Sequence, residues 1–187
     1  MPGSITHAYV ATGTDAGNGE VHKSQWNAGH TLIGVPYTLA QSGAAVSVGA
    51  VTTEAVLATI TVPAGAMGPN GWIQVISTIT CTSNANNKQH IIRLGGAAGT
   101  IVNNAFFTTS TGNTRITAIA NQNSNSAQIT LAPSGNTPGI PGTYSAAYPT
   151  AAVNTSSAWD LVIAGQKAVA GDTLTLEAYQ VLICYGA

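Results

Sequence analysis

The sequence predicts an all-β fold, an antiparallel jelly-roll-like β-sandwich over residues 35–187 behind an extended N-terminal attachment arm at 1–34. Three observations carry this. Apolar residues alternate with period two through a series of short runs. Clusters of Gly, Pro, Asn and Ser separate the runs at near-regular spacing, and sustained helical spacing of apolar residues is missing.

Taken in order, "AAVSVGAV" (44–51) and "EAVLATITV" (54–62) alternate as half-buried strands. In the second, Val56, Ala58, Ile60 and Val62 share one face, and Leu57, Thr59 and Thr61 the other. "PAGAMGPNG" (63–71) is a turn cluster, in which Pro fixes φ and Gly supplies positive φ. "WIQVISTITC" follows, with Ile73, Val75, Ile79 and Cys81 on one side and Trp72, Ile76 and Thr78 on the other. "TSNANNK" turns the chain into "QHIIRLGG", and "TIVNNAFFTTST", "TRITAIANQ" and "AQITLA" read as further strands. A long Pro- and Gly-rich segment occupies 133–158; loops of that length in compact domains usually serve function or an interface. "WDLVIAG" and "DTLTLEAYQVLICYG" close the chain, the latter placing Leu174, Leu176, Ala178, Leu182 and Cys184 on one face. Eight such strands suffice for a jelly roll, although strand count alone does not give their order.

Composition narrows the function. Charged residues make up 6% of the 187, against about 25% in ordinary domains, while 44% are apolar, so the chain has the means to fold. Five scattered Lys and Arg and a net charge of -1 argue against nucleic-acid binding and against a polybasic membrane anchor. No apolar run approaches the roughly 20 residues of a membrane span, and "MPGSITHAYVATG" lacks the pattern of a secretory signal. The expectation is folding in the cytoplasm, with Cys81 and Cys184 as buried thiols rather than a bridge. A nearly uncharged Thr, Ala and Asn surface is poor protection against self-association, which suits a subunit of an assembly.

Catalytic chemistry finds little support. Glu54, Asp160, Asp172 and Glu177 are isolated in sequence, and Asp160 and Asp172 sit beside turns, where capping or solvated roles are the default. "RLGGAAGT" lacks the Lys-Ser/Thr ending and following helix of a phosphate loop, and reads as a tight strand connection. Tyr144 and Tyr148 in the long loop are candidate receptor contacts, since Tyr offers a rigid apolar face with a polar tip.

The richest stretch is "GEVHKSQWNAGHTL" (19–32). His22 and His30 are eight apart and match no recurrent metal spacing, so no metal or cofactor is expected. Trp26 on a Gly-rich leader instead suits a plug into a pocket of another protein, with Asn27, His30 and His22 around it as docking residues.

"ITHAYVATGTDAGNGEVHKSQWNAGHTLIG" resembles the N-terminal segment of tailed-bacteriophage fibre-like and head-decoration virion proteins. There an Ile-Thr-His start leads to a Ser-x-Trp-Asn-Ala-x-His element, matched here by Ser24, Trp26, Asn27, Ala28 and His30. "LATITVPAGAMGPNGWIQV" and "NANNKQHIIRLGG" resemble the sandwich that follows in such proteins. The resemblance implies a non-enzymatic virion component, a homotrimer attached to other virion proteins through the arm and presenting the sandwich to a host receptor or glycan. The lack of a coiled-coil or β shaft favours a short fibre or spike over a long fibre. The alternatives are a capsid decoration or head fibre without its own receptor and, from another class, a carbohydrate-binding or depolymerase module.

Overall fold

The computed structural model describes residues 34–109, 111–130 and 148–187, and the backbone alone at 4–5 and 30–31. Its strands are β1 (Ser4–Ile5), β2 (His30–Thr31), β3 (Tyr37–Ser42), β4 (Val46–Ser47), β5 (Ala55–Val62), β6 (Trp72–Cys81), β7 (Lys88–Leu94), β8 (Thr100–Phe107), β9 (Gly112–Asn121), β10 (Gln128–Thr130), β11 (Thr150–Ala151), β12 (Trp159–Lys167) and β13 (Leu174–Cys184). The described residues contain no helix, as the period-two pattern requires. β1 and β2 pair antiparallel, Ser4 with Thr31 and Ile5 with His30.

The other strands build two antiparallel sheets. The larger runs β11-β10-β9-β6-β13-β3, with β4 also on β13; the smaller runs β5-β12-β7-β8. Among the eight principal strands, β3, β5, β6, β7, β8, β9, β12 and β13, the first pairs with the last, the second with the seventh, the third with the sixth and the fourth with the fifth. That is one long antiparallel hairpin rolled over on itself. Ladders between β6 and β13 and between β7 and β12 complete the two sheets and define a jelly roll.

Between the sheets lies one hydrophobic core, with Ile60, Val62, Ile92 and Ile163 from the smaller sheet and Ile73, Val75, Ile119 and Ile183 from the larger. At Gly165, in the middle of β12, a Cβ would come 2.8 Å from Leu174 Cδ2 and 2.9 Å from Val48 Cγ2. Glycine there lets the facing side chains fill the space a methyl group would take.

The observed faces differ from the sequence pattern where the ladders carry bulges. β5 has one extra residue opposite the Ile163/Ala164 step, which turns Leu57 into the core and leaves Val56 47% exposed, the reverse of the alternation expected there. In β13, Glu177 is the extra residue between Leu176 and Ala178. Beyond it Val181 and Ile183 are buried in place of Ala178 and Leu182, while Cys184 remains buried. Two further differences concern extent: in 44–51 only Val46–Ser47 pairs as a strand, and β3 forms over "YTLAQS", which has no clear alternation.

The chain enters and leaves the sandwich at one pole, where Gly34 N donates to Tyr185 O at 3.0 Å and Gly186 N to Met67 O at 2.9 Å. The opposite pole carries the β6–β7 and β12–β13 connections, joined where Thr82 N donates to Thr173 O. Cys81 and Cys184 are both buried and in no disulfide, at opposite ends of the β6–β13 ladder. At about 3.3 Å per residue they are roughly 30 Å apart, beyond the reach of a disulfide.

Candidate functional site

Of the sequence-selected residues, Trp26, Asn27, His22 and Tyr144 lie outside the described residues. His30 is placed only as backbone, in β2 opposite Ile5. Tyr148 is 43% exposed, two residues before β11 at the edge of the larger sheet. The structure therefore does not bring the docking and receptor candidates into one described site.

The four acidic residues of the sandwich have four different partners. Arg93 clamps Glu54 through two nitrogens, Nε to Oε1 at 2.7 Å and Nη2 to Oε2 at 2.6 Å. Asp160 accepts from Thr61 at 2.7 Å, Glu177 accepts from the Thr80 hydroxyl, and Asp172 pairs with Lys88. Each of the four carboxylates is therefore held by its own partner.

The pole opposite the chain ends concentrates buried charge. Lys88 opens β7 and Lys167 ends β12, and the register sets them directly across from each other. Both are buried, and like charges facing across a ladder repel, so the arrangement needs compensation. Asp172, in the β12–β13 turn, supplies it from two directions. Its backbone carbonyl accepts from Lys167 Nζ at 2.7 Å, which also donates to Ala170 O at 3.1 Å, while its carboxylate Oδ2 lies 3.6 Å from Lys88 Nζ.

Three asparagines of the β6–β7 turn complete the cluster. Asn84 Nδ2 donates to Asp172 Oδ1 at 2.7 Å and Asn86 Nδ2 to Oδ2 at 3.0 Å. Asn84 Oδ1 accepts from both Lys88 Nζ and the Asn86 backbone N–H, the latter at 3.0 Å, and Asn87 O accepts from Ala168 N at 2.9 Å. Burial pushes the Asp172 carboxyl up, but the hydrogen bonds from Asn84 and Asn86 and the Lys88 ammonium outweigh it and hold the group below the usual carboxylate range. Asp172 is thus a buried keystone, not the solvated or simple turn-capping residue expected. The readable signal was Lys88, which shares the inward parity of His90, Ile92 and Leu94.

A second polar column crosses the interior. His90 Nε2 meets Ser77 Oγ at 3.2 Å, Asn103 Nδ2 donates to Thr117 Oγ1 at 2.6 Å, and the Arg115 guanidinium lies 5.0 Å over the Phe107 ring. Each contact joins the two sheets. Outside, the larger sheet shows an uncharged stretch in which Ile76 is flanked by Ile116 and Gln180, with Trp72, Gln74 and Leu182 alongside; Ile116 is 55% exposed.

Fold and side chains together define the class as a jelly-roll module built on eight principal strands, with an ionic pole and an uncharged stretch around Ile76 on one sheet face. No family model matches the sequence, and no curated protein matches it. Among solved structures the chain is similar to one from infectious bursal disease virus, Gx strain, at 12% identity and a TM-score of 0.23, covering 80% of this chain and 40% of that one. A likeness that shallow carries no argument about this chain.

Proposed function

We propose that the chain is a non-enzymatic structural protein of a tailed-bacteriophage virion, a short fibre or spike that docks through residues 1–34 and displays the jelly roll for host attachment. The observation that carries the reading is the uncharged stretch on the outer face of the larger sheet around Ile76, where Ile116 stands 55% exposed among half-buried and uncharged polar neighbours, a surface suited to burial against another subunit. A homotrimer sharing that face leaves the sheet edge at Tyr148 at its periphery for a receptor or glycan. The arm supplies the tether, with Trp26 as plug and Asn27, His30 and His22 beside it.

Electron microscopy of particles carrying the labelled protein tests the assignment, together with Trp26→Ala. Density on the particle, lost in the variant while the sandwich stays folded, supports the reading; normal incorporation of Trp26→Ala overturns the docking role. Light scattering at micromolar concentration is expected to give a trimer, and a stable monomer counts against assembly through the sheet face. Particle-bound protein that fails to bind host cells points to decoration, and release of reducing sugar from host polysaccharide overturns the non-enzymatic reading.

A further inference from the structure

The ionic pole holds more chemistry than an ion pair requires. Lys88 Nζ donates to Asn84 Oδ1, so the amide carbon is one C=O bond, about 1.23 Å, beyond the atom the amine touches. The Asn86 backbone N–H donates to that same oxygen at 3.0 Å, placing a donor where negative charge collects when an amide carbon is attacked. The two oxygens of Asp172 face the two nitrogens that would exchange protons: Oδ1 accepts from Asn84 Nδ2 at 2.7 Å, and Oδ2 lies 3.6 Å from Lys88 Nζ. Asn86 Nδ2 fixes Oδ2 from the other side at 3.0 Å.

We propose that Lys88 and Asn84 form a self-made isopeptide bond, with Asp172 as the proton shuttle. Asp172 takes one proton from the Lys88 ammonium, and the freed lone pair attacks Asn84 Cγ. As the Cγ–Nζ bond forms, charge gathers on Oδ1 under the Asn86 N–H. Asp172 passes its proton to Nδ2, the Cγ–Nδ2 bond breaks, and the carboxylate accepts a second proton from the attacking nitrogen. Ammonia leaves and carries that last proton away as ammonium. One C–N bond replaces another, so no oxidant, reductant or co-reactant enters.

Charge balance favours the product. Before reaction the pole buries two lysines against one aspartate; afterwards Lys167 and Asp172 remain, one charge of each sign, and the repulsion across the β7–β12 register is gone. The four-residue spacing allows a side-chain lactam, which would lock the turn where the chain crosses from the larger sheet to the smaller.

Intact mass spectrometry of the full-length chain under denaturing conditions tests this. The expected mass is that of the sequence less one ammonia, with trypsin failing to cut after Lys88 and a peptide joined through Asn84 and Lys88. Asp172→Asn is expected to keep the ammonia, and Lys88→Arg likewise. An unmodified wild-type mass means a hydrogen-bonded cluster only and overturns the proposal. So does ammonia loss with normal cleavage after Lys88, which marks a succinimide. Loss of ammonia from Asp172→Asn overturns the shuttle role, and because the wild-type mass decides the bond itself, a variant that fails to fold does not obscure the answer.

Discussion

His90 shows how one residue sets a pH limit. Its ring is fully enclosed, and burial, helped by the positive charge of Arg115, pushes its pKa down to about 3 from the ordinary 6.5. The unfolded chain therefore binds a proton near pH 6.5 that the folded chain refuses until about pH 3. The stabilising contribution is fully present above 6.5 and is lost as pH falls through that window, at up to about 1.4 kcal/mol per pH unit. Urea midpoints measured from pH 7 to pH 4.5 are expected to fall steeply in the wild type and to flatten in His90→Gln; equal slopes would remove His90 from the account. Asp172 acts in the same direction at lower pH, since a carboxyl held below its usual range keeps its contribution until the pH drops through the lowered value.

At the scale of elements, bulges decide which side chains the core receives. Glu177 lets β13 present Leu174 and Leu176 on one side of the bulge and Val181 and Ile183 on the other to a single core. Removing the residue is therefore a different experiment from removing its side chain. Glu177→Ala loses the contact with Thr80 and should cost within about 1 kcal/mol. Deleting Glu177 takes out the extra residue and leaves a regular ladder in which Leu174, Leu176, Val181 and Ile183 still share the inward face, so a cooperative thermal transition followed by circular dichroism should persist. Loss of the transition in the deletion would show that β13 needs the bulge itself and not only the inward face on either side of it. The same feature explains what the sequence made legible. Alternation located β5, β6 and β13 because half-buried strands impose it, but a bulge adds a residue without any compositional mark, so Leu57 and Val56 exchanged faces unannounced. β3 escaped because its bulge at Leu39, between Thr38 and Ala40, breaks an already short pattern. The ionic pole was hidden for another reason: Lys88 and Asp172 are far apart in the chain and meet only once the β7–β12 register is known.

For the whole molecule, the nested pairing of first strand with last places Gly34 beside Tyr185. A circular permutant of residues 34–187, with Ala187 linked to Gly34 by a short flexible segment and new ends opened between the exposed Ala97 and Ala98, preserves every ladder of the roll. It should keep a β-rich spectrum and a single cooperative melt; a permutant unable to fold would mean that the β7–β8 turn is needed to start the roll. The common pole also has a mechanical meaning. β3 starts just after Gly34 and runs toward the far pole, and its hydrogen bonds to β13 lie across that direction. A pull on Gly34 away from the far pole loads those bonds in shear, all sharing the force, rather than peeling them apart one at a time. A sandwich tethered there would resist drag through its longest strand.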